Sequence, residues 1–209
     1  YVGAGSLDWQ AQHPPLYYAL MTPLYRAAHG LGWVDHLLVL RLASFALAFA
    51  GLAIGVLGTV RYAGSVGAWT APLMAAWPLL FPQFFPEFAR LGNDSLCLLL
   101  TSLAWVALLK LLSGQGGWIS ALGLGVSLGL GLLTKAFFLP VGAGVLLMLG
   151  LWQRVGGFKP SRLGQAAVAV AAALAIGGWW YVSRQLQTGS LVGSDEFIRF
   201  NKAGGLGRL

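Results

Sequence analysis

The chain has 209 residues, of which 57% are hydrophobic and 9% are charged. A soluble globular domain carries about 25% charged residues, so this composition excludes a water-soluble globule. The 13 lysines and arginines exceed the 6 acidic residues and give a formal net charge of +7, but cations this sparse exclude a nucleic-acid-binding face. The one cysteine, Cys97, excludes an intrachain disulfide and a cysteine-based zinc site.

Residues 1–36 precede the first long apolar run and are predicted to form an outer loop. Pro14 and Pro15 mark a helix start, because proline is tolerated in a first helical turn. Apolar residues then recur at helical spacing beside Tyr17, Tyr25 and Arg26, a pattern typical of an amphipathic helix on the membrane surface. The alternative is an interfacial linker helix that has no catalytic or binding role.

Six long apolar runs follow, and about 20 apolar residues suffice to cross a bilayer. Backbone groups in lipid must be satisfied within the segment, so we predict an all-α polytopic transmembrane bundle over residues 37–187. The predicted spans are 37–60, 64–84, 94–112, 118–134, 136–153 and 163–183. Residues 188–209 are predicted to form a second outer loop. Because the chain starts at Tyr1 and stops in a glycine-rich stretch, we expect a natural product longer at both ends.

A glycine-rich run lies in the fourth predicted span, from Gly123 to Gly131. Small residues let transmembrane helices approach closely, so we interpret this run as a helix-packing face. A phosphate-binding loop is the alternative, but no strand precedes the run and no charged partner follows it.

The charges predict the orientation of the bundle. The connections after spans one, three and five carry only cations, whereas all six acids fall on the opposite face with both ends of the chain. Cytoplasmic loops are enriched in lysine and arginine, so we expect the acids to face outward from the cytoplasmic membrane. The five cations of the inner connections are Arg61, Lys110, Arg154, Lys159 and Arg162.

Three cations on the outer side are candidates for holding a phosphate. Arg41 lies inside an apolar run, where an ionisable group is costly and by default functional, although it could snorkel to the interface. Lys135 lies in a very short connection at headgroup depth and would offer a point charge, or be an ordinary interface lysine. Arg90 lies between Glu87 and Asp94 in an aromatic-rich loop.

The Asn93-Asp94-Ser95 segment has two interpretations. It is a favourable helix entry, where the side chains would cap backbone N–H groups. Together with Glu87 and Arg90 it also has the composition of a polar site at the mouth of an apolar groove, suited to a sugar or an isoprenoid. His29 and His36 have no carboxylate or cysteine at a ligand spacing, so no metal site is predicted.

Four short motifs resemble the GT-C class of polytopic glycosyltransferases, in particular the protein O-mannosyltransferases and the bacterial aminoarabinose-type lipid A transferases. They occur in the same order and on the same predicted face. They are His13-Pro14-Pro15-Leu16-Tyr17-Tyr18, Arg41-Leu42-Ala43-Ser44, Asn93-Asp94-Ser95-Leu96 and Gly131-Leu132-Leu133-Thr134-Lys135.

The resemblance implies an inverting enzyme that takes a sugar from a polyprenyl-phosphate carrier and passes it to an acceptor outside the cytoplasmic membrane. An acid of the first outer loop would act as the base, and Asp8 is the candidate unless the base precedes Tyr1. Arg41, Arg90 and Lys135 would hold the donor phosphate. His13, Tyr17, Glu87, Asn93 and Asp94 would bind substrate.

No cofactor is expected, although some relatives of this class use a divalent metal. The expected partners are the lipid-linked donor and membrane lipids, with no nucleic acid. The alternative function is a non-enzymatic transporter or flippase for lipid-linked intermediates. That class predicts broken helices and polar groups at mid-membrane.

Overall fold

The computed structural model describes residues 14–62, 69, 72–73, 76–155, 159–188 and 191. All regular structure in these residues is helical, which confirms the all-α prediction for the described part of the chain. The helices are α1 (Leu16–Ala27), α2 (Trp33–Tyr62), α3 (Phe84–Ala89), α4 (Asp94–Leu112), α5 (Trp118–Leu132), α6 (Phe138–Val155), α7 (Pro160–Ala173) and α8 (Trp179–Thr188). A 3₁₀ turn occupies Trp77–Leu80, and a π-helical segment, Leu174–Gly178, joins α7 to α8.

Three of the described helices are long and apolar enough to cross a membrane. They are α2, α4 and the continuous helix Pro160–Gln187 that comprises α7, the π-helical segment and most of α8. α5 and α6 are apolar but shorter; the 15 residues of α5 rise about 22 Å. Nine of the 21 residues in the predicted span 64–84 lie outside the described residues, and its described part includes the 3₁₀ turn Trp77–Leu80. The structure therefore supports a membrane bundle without confirming six spans.

Close contacts at glycine fix the helix directions. Gly51 of α2 lies against the backbone of Leu99 of α4. Seven residues further along both helices, Gly58 lies against Val106. α2 and α4 are therefore parallel. Gly125 contacts Ala169, and Gly129 contacts Ala173, so α5 and α7 are parallel as well.

The core lies around α4 and α5, whose inward faces supply most of the buried side chains. Leu100 and Leu108 of α4 pack with Leu124 and Leu128 of α5. Phe138, at the start of α6, is also buried and lies directly against Gly131. The glycine-rich run therefore serves helix packing, because Gly125 and Gly129 are the positions at which α7 approaches α5.

Charge is sorted between the two ends of the bundle. The acidic end, where α2 and α4 begin and α5 finishes, carries the described acids Asp35, Glu87 and Asp94. Asp8, Asp195 and Glu196 lie outside the described residues. The basic end, where α2 and α4 finish, carries no acid among the described residues and includes Arg61, Lys110, Arg154, Lys159 and Arg162.

Candidate functional site

The turn that follows α5 is held by three separate elements. The last carbonyls of a helix have no partner within it, and here three carbonyls at and just beyond the end of α5 accept hydrogen bonds from other parts of the chain. The Tyr181 hydroxyl donates to Leu132 O at 3.0 Å, the Leu16 amide donates to Leu133 O at 2.9 Å, and Asn93 Nδ2 donates to Thr134 O at 3.2 Å. These contacts fix the backbone from which Lys135 projects.

Lys135 belongs to a cluster of four charged residues at the acidic end, which we call the ion-pair cluster. Lys135 Nζ lies 2.5 Å from Asp94 Oδ1. The other Asp94 oxygen, Oδ2, accepts from Arg90 Nη2 at 3.0 Å. Arg90 Nη2 also pairs with Glu87 Oε1. Asp94 therefore joins the aromatic-rich loop before α4, the start of α4 and the Thr134-Lys135 turn.

The ion-pair cluster retains donors for an additional anion. The side chains of Arg90 and Lys135 are 55% and 38% exposed. Arg90 uses only Nη2 for its bonds within the described chain, although a guanidinium has five N–H donors. Lys135 uses one of three ammonium donors. Solvent-exposed ion pairs contribute only about 0–1 kcal/mol, so a phosphate can compete for these cations.

Asn93 does not act as a helix cap. It occupies the N-cap position of α4, but its backbone is already in the helical region and its side chain makes no capping hydrogen bond. The amide instead reaches across to Thr134 O. The helix begins at this segment as predicted. The predicted capping by the Asn93 side chain is wrong, because that side chain bonds the carbonyl of Thr134 instead.

Tyr17 connects three elements beside the ion-pair cluster. Its hydroxyl lies 2.6 Å from Ser44 Oγ of α2 and also interacts with the backbone of Gly92. Burial raises the pKa of the Tyr17 phenol above its ordinary value, which keeps the hydroxyl protonated at neutral pH. Tyr17 thus anchors α1 rather than presenting a free group to a ligand.

Arg41 lies apart from the other predicted phosphate ligands. Its side chain is exposed and makes no hydrogen bond or ion pair with the described residues. The Gly51–Leu99 contact places Asp94 level with about Ala46 of α2, so Arg41 lies about 7 Å beyond the Asp94 level at 1.5 Å per residue. Asp8 and His13, the predicted base and a predicted substrate ligand, lie outside the described residues.

Sequence reasoning missed two residues that shape the site. Tyr181 follows Trp179 and Trp180 and has the sequence signature of an aromatic belt, yet its hydroxyl bonds Leu132 O and its side chain is buried. Ser44 was part of a motif, but its hydroxyl was not assigned a partner. The one usable signal was a hydroxyl inside an apolar run, since a buried polar group requires a hydrogen bond.

Two further observations concern the chemistry of the candidate site. Within the described ranges, no three histidine, cysteine, aspartate or glutamate side chains lie together as a metal site requires. No protein family, curated protein or solved structure matches the chain.

Proposed function

We propose that the protein is a membrane glycosyltransferase that takes a sugar from a polyprenyl-phosphate-linked donor and transfers it to an acceptor at the acidic end of the bundle. The ion-pair cluster binds the donor phosphate. The acidic end faces the exterior of the cytoplasmic membrane, in keeping with the cations of the basic end.

The observation that carries this proposal is the meeting of four sequence motifs. Tyr17, of the first motif, contacts Ser44 of the second. Asn93 and Asp94, of the third, contact Thr134 and Lys135 of the fourth. Leu16 of the first motif also bonds Leu133 of the fourth. Residues that are far apart in sequence thus form one connected unit, as expected of a binding site.

An apolar groove adjoins this unit and suits the lipid part of the donor. The groove has a volume of about 260 Å³ and lies between α5, α6 and α7. Its lining is entirely aliphatic or aromatic, and two lining residues, Leu132 and Phe138, flank the Thr134-Lys135 turn. An isoprenoid chain in the groove would place its phosphate beside Lys135.

The location favours stabilisation of a phosphate leaving group. Negative charge develops on the polyprenyl phosphate as the bond to the anomeric carbon breaks, and cations that are already in place stabilise such charge without reorganising. Lys135 is held in place by Asp94, and the turn that carries it is held by Asn93. The cation therefore needs little reorganisation during transfer.

The two carboxylates of the ion-pair cluster organise its cations, so the proposal assigns the base elsewhere. Glu87 and Asp94 both pair with Arg90, and Asp94 also pairs with Lys135. A base must be able to take a proton from the acceptor hydroxyl or amine, and a carboxylate bound to two cations is poorly suited to that task. The outer loop, with Asp8 as its candidate, supplies the base in this proposal.

The proposal is tested by incubating the full-length protein in proteoliposomes with a panel of polyprenyl-phosphate sugars carrying a labelled sugar. We expect release of the unglycosylated polyprenyl phosphate and appearance of the label on an acceptor from the membrane fraction. Movement of intact donor across the bilayer without cleavage would contradict the transferase and support the rival flippase. No cleavage of any donor in the panel would also overturn the proposal.

A further inference from the structure

A second cavity lies at the acidic end, between α1, α2 and the loop before α4. We call it the tyrosine pocket. Its volume is about 440 Å³, within the range of small-molecule sites. Residues of α1 form most of its wall, and Leu40 of α2 with Leu91 and Gly92 of the loop before α4 complete it; the α1 residues include Tyr17, Tyr18, Thr22 and Tyr25.

The lining of the tyrosine pocket differs from that of the groove. The groove is entirely apolar, whereas the pocket combines aromatic rings with hydroxyl groups and contains no charged side chain. Tyrosine offers an apolar face and a polar tip in one side chain. A pyranose ring has the matching surfaces, because its C–H faces are apolar and its edges carry hydroxyls.

The pocket adjoins the cationic part of the cluster. A Cβ atom at Gly92 would lie 3.6 Å from Arg90 Nε, so the arginine side chain passes directly over a wall residue of the pocket. Tyr17 ties the same wall to α2 through Ser44. The apolar groove borders the Thr134-Lys135 turn, the tyrosine pocket borders Arg90, and Asp94 joins the two cations.

This order matches the order of groups in a lipid-linked sugar, which are lipid chain, phosphate and sugar. Resting on the proposed function, we propose that the tyrosine pocket binds the pyranose unit whose phosphate is held by the ion-pair cluster. Tyr18 and Tyr25, which are 43% and 51% exposed, supply the stacking surface. They are substrate-binding residues additional to those predicted from the sequence.

The experiment measures binding of two water-soluble probes to the full chain in nanodiscs, using titration calorimetry and saturation-transfer NMR. The probes are inorganic phosphate and a set of hexose 1-phosphates. We expect Tyr18→Ala and Tyr25→Ala to weaken binding of the preferred hexose 1-phosphate at least tenfold and to leave phosphate binding unchanged. Tyr18→Phe and Tyr25→Phe keep the rings and should recover most of the affinity. Tyr62→Ala, at the basic end, is the matched control and should bind both probes like the wild type.

Equal affinity of the wild type and both alanine variants for every hexose 1-phosphate would overturn the pocket assignment. Unaltered donor KM in the alanine variants of a chain that transfers sugar would overturn it as well, while the proposed function would stand. Conversely, a chain that binds hexose 1-phosphate through the tyrosines but cleaves no lipid-linked donor would overturn the proposed function and retain the pocket.

Discussion

At the scale of single residues, the acidic end is held together by hydrogen bonds between side chains distant in sequence. Tyr17 and Ser44 illustrate this, since both side chains are almost completely buried and each satisfies the other. Asn93 performs a similar role for the carbonyl of Thr134. In each case a polar group inside an apolar bundle is tolerated because its partner is present.

We predict that Tyr17→Phe destabilises the protein by about 1–3 kcal/mol, because it leaves the Ser44 hydroxyl buried without its partner. Ser44→Ala should cost a similar amount. The double variant should lose much less than the sum, since removing both partners relieves the unsatisfied group. Denaturant titration of the four proteins in detergent measures the coupling. Additive losses would show that the two hydroxyls do not interact.

The sequence allowed us to predict which residues belong to the candidate site better than which residues contact one another. Lys135, Arg90 and Asp94 could be singled out because charge is rare in an apolar chain and its position is informative. The Lys135–Asp94 pair could not be derived, because the two residues are 41 positions apart and only the packing of α4 against α5 joins them. Tyr181 escaped prediction for the same reason.

At the scale of elements, glycine determines how closely the helices approach. A Cβ atom at Gly125 would clash with the backbone oxygen of Ala169, and one at Gly129 would lie 2.7 Å from Ile176 Cβ. Gly123, on the same helix, would meet nothing within 4 Å. The glycines of one run therefore have different roles, according to the face of α5 on which they lie.

We predict that Gly125→Ala destabilises the bundle by about 1–3 kcal/mol, because the added methyl group forces α7 away from α5. Gly123→Ala is the matched control. It should be neutral or stabilising by up to about 1 kcal/mol, since alanine favours the helix. Thermal unfolding of both variants in the same detergent gives the comparison. A Gly125→Ala protein as stable as the Gly123→Ala protein would contradict the observed helix approach.

Some helix boundaries could be predicted from the sequence, and others could not. The predicted span 94–112 coincides with Asp94–Leu112, where a charged loop and a glycine turn limit the run on both sides. α2 begins at Trp33, four residues before the predicted span, because Asp35 and His36 continue the helix despite their polarity. The π-helical segment Leu174–Gly178 had no sequence signal, since it depends on packing against Gly129 and Leu132.

At the scale of the whole molecule, charge distribution separates the two ends of the bundle. The basic end holds its cations partly through aromatic contacts, such as Arg162 over the Trp152 ring at 4.5 Å and Lys110 over the Tyr62 ring at 5.1 Å. At the acidic end, Arg90 and Lys135 are held by carboxylates. The first arrangement suits a membrane surface and the second suits a binding site.

The proposed orientation predicts how cysteines introduced at the two ends react with a membrane-impermeant maleimide. Asp35→Cys at the acidic end should be labelled in intact cells, and Lys159→Cys at the basic end should be labelled only after the membrane is opened. Both positions are exposed, and the native Cys97 is buried, so the unmodified chain is the control. Labelling of Lys159→Cys alone in intact cells would reverse the orientation.

The central claim is that the ion-pair cluster stabilises the phosphate leaving group during sugar transfer. The most direct test is the kcat/KM for the lipid-linked donor in Lys135→Ala, compared with Lys159→Ala, which removes the same charge at the basic end. We expect a loss of about 100-fold or more for Lys135→Ala, the effect of removing one stabilising donor, and none for Lys159→Ala. Equal kcat/KM in the two variants would contradict the account.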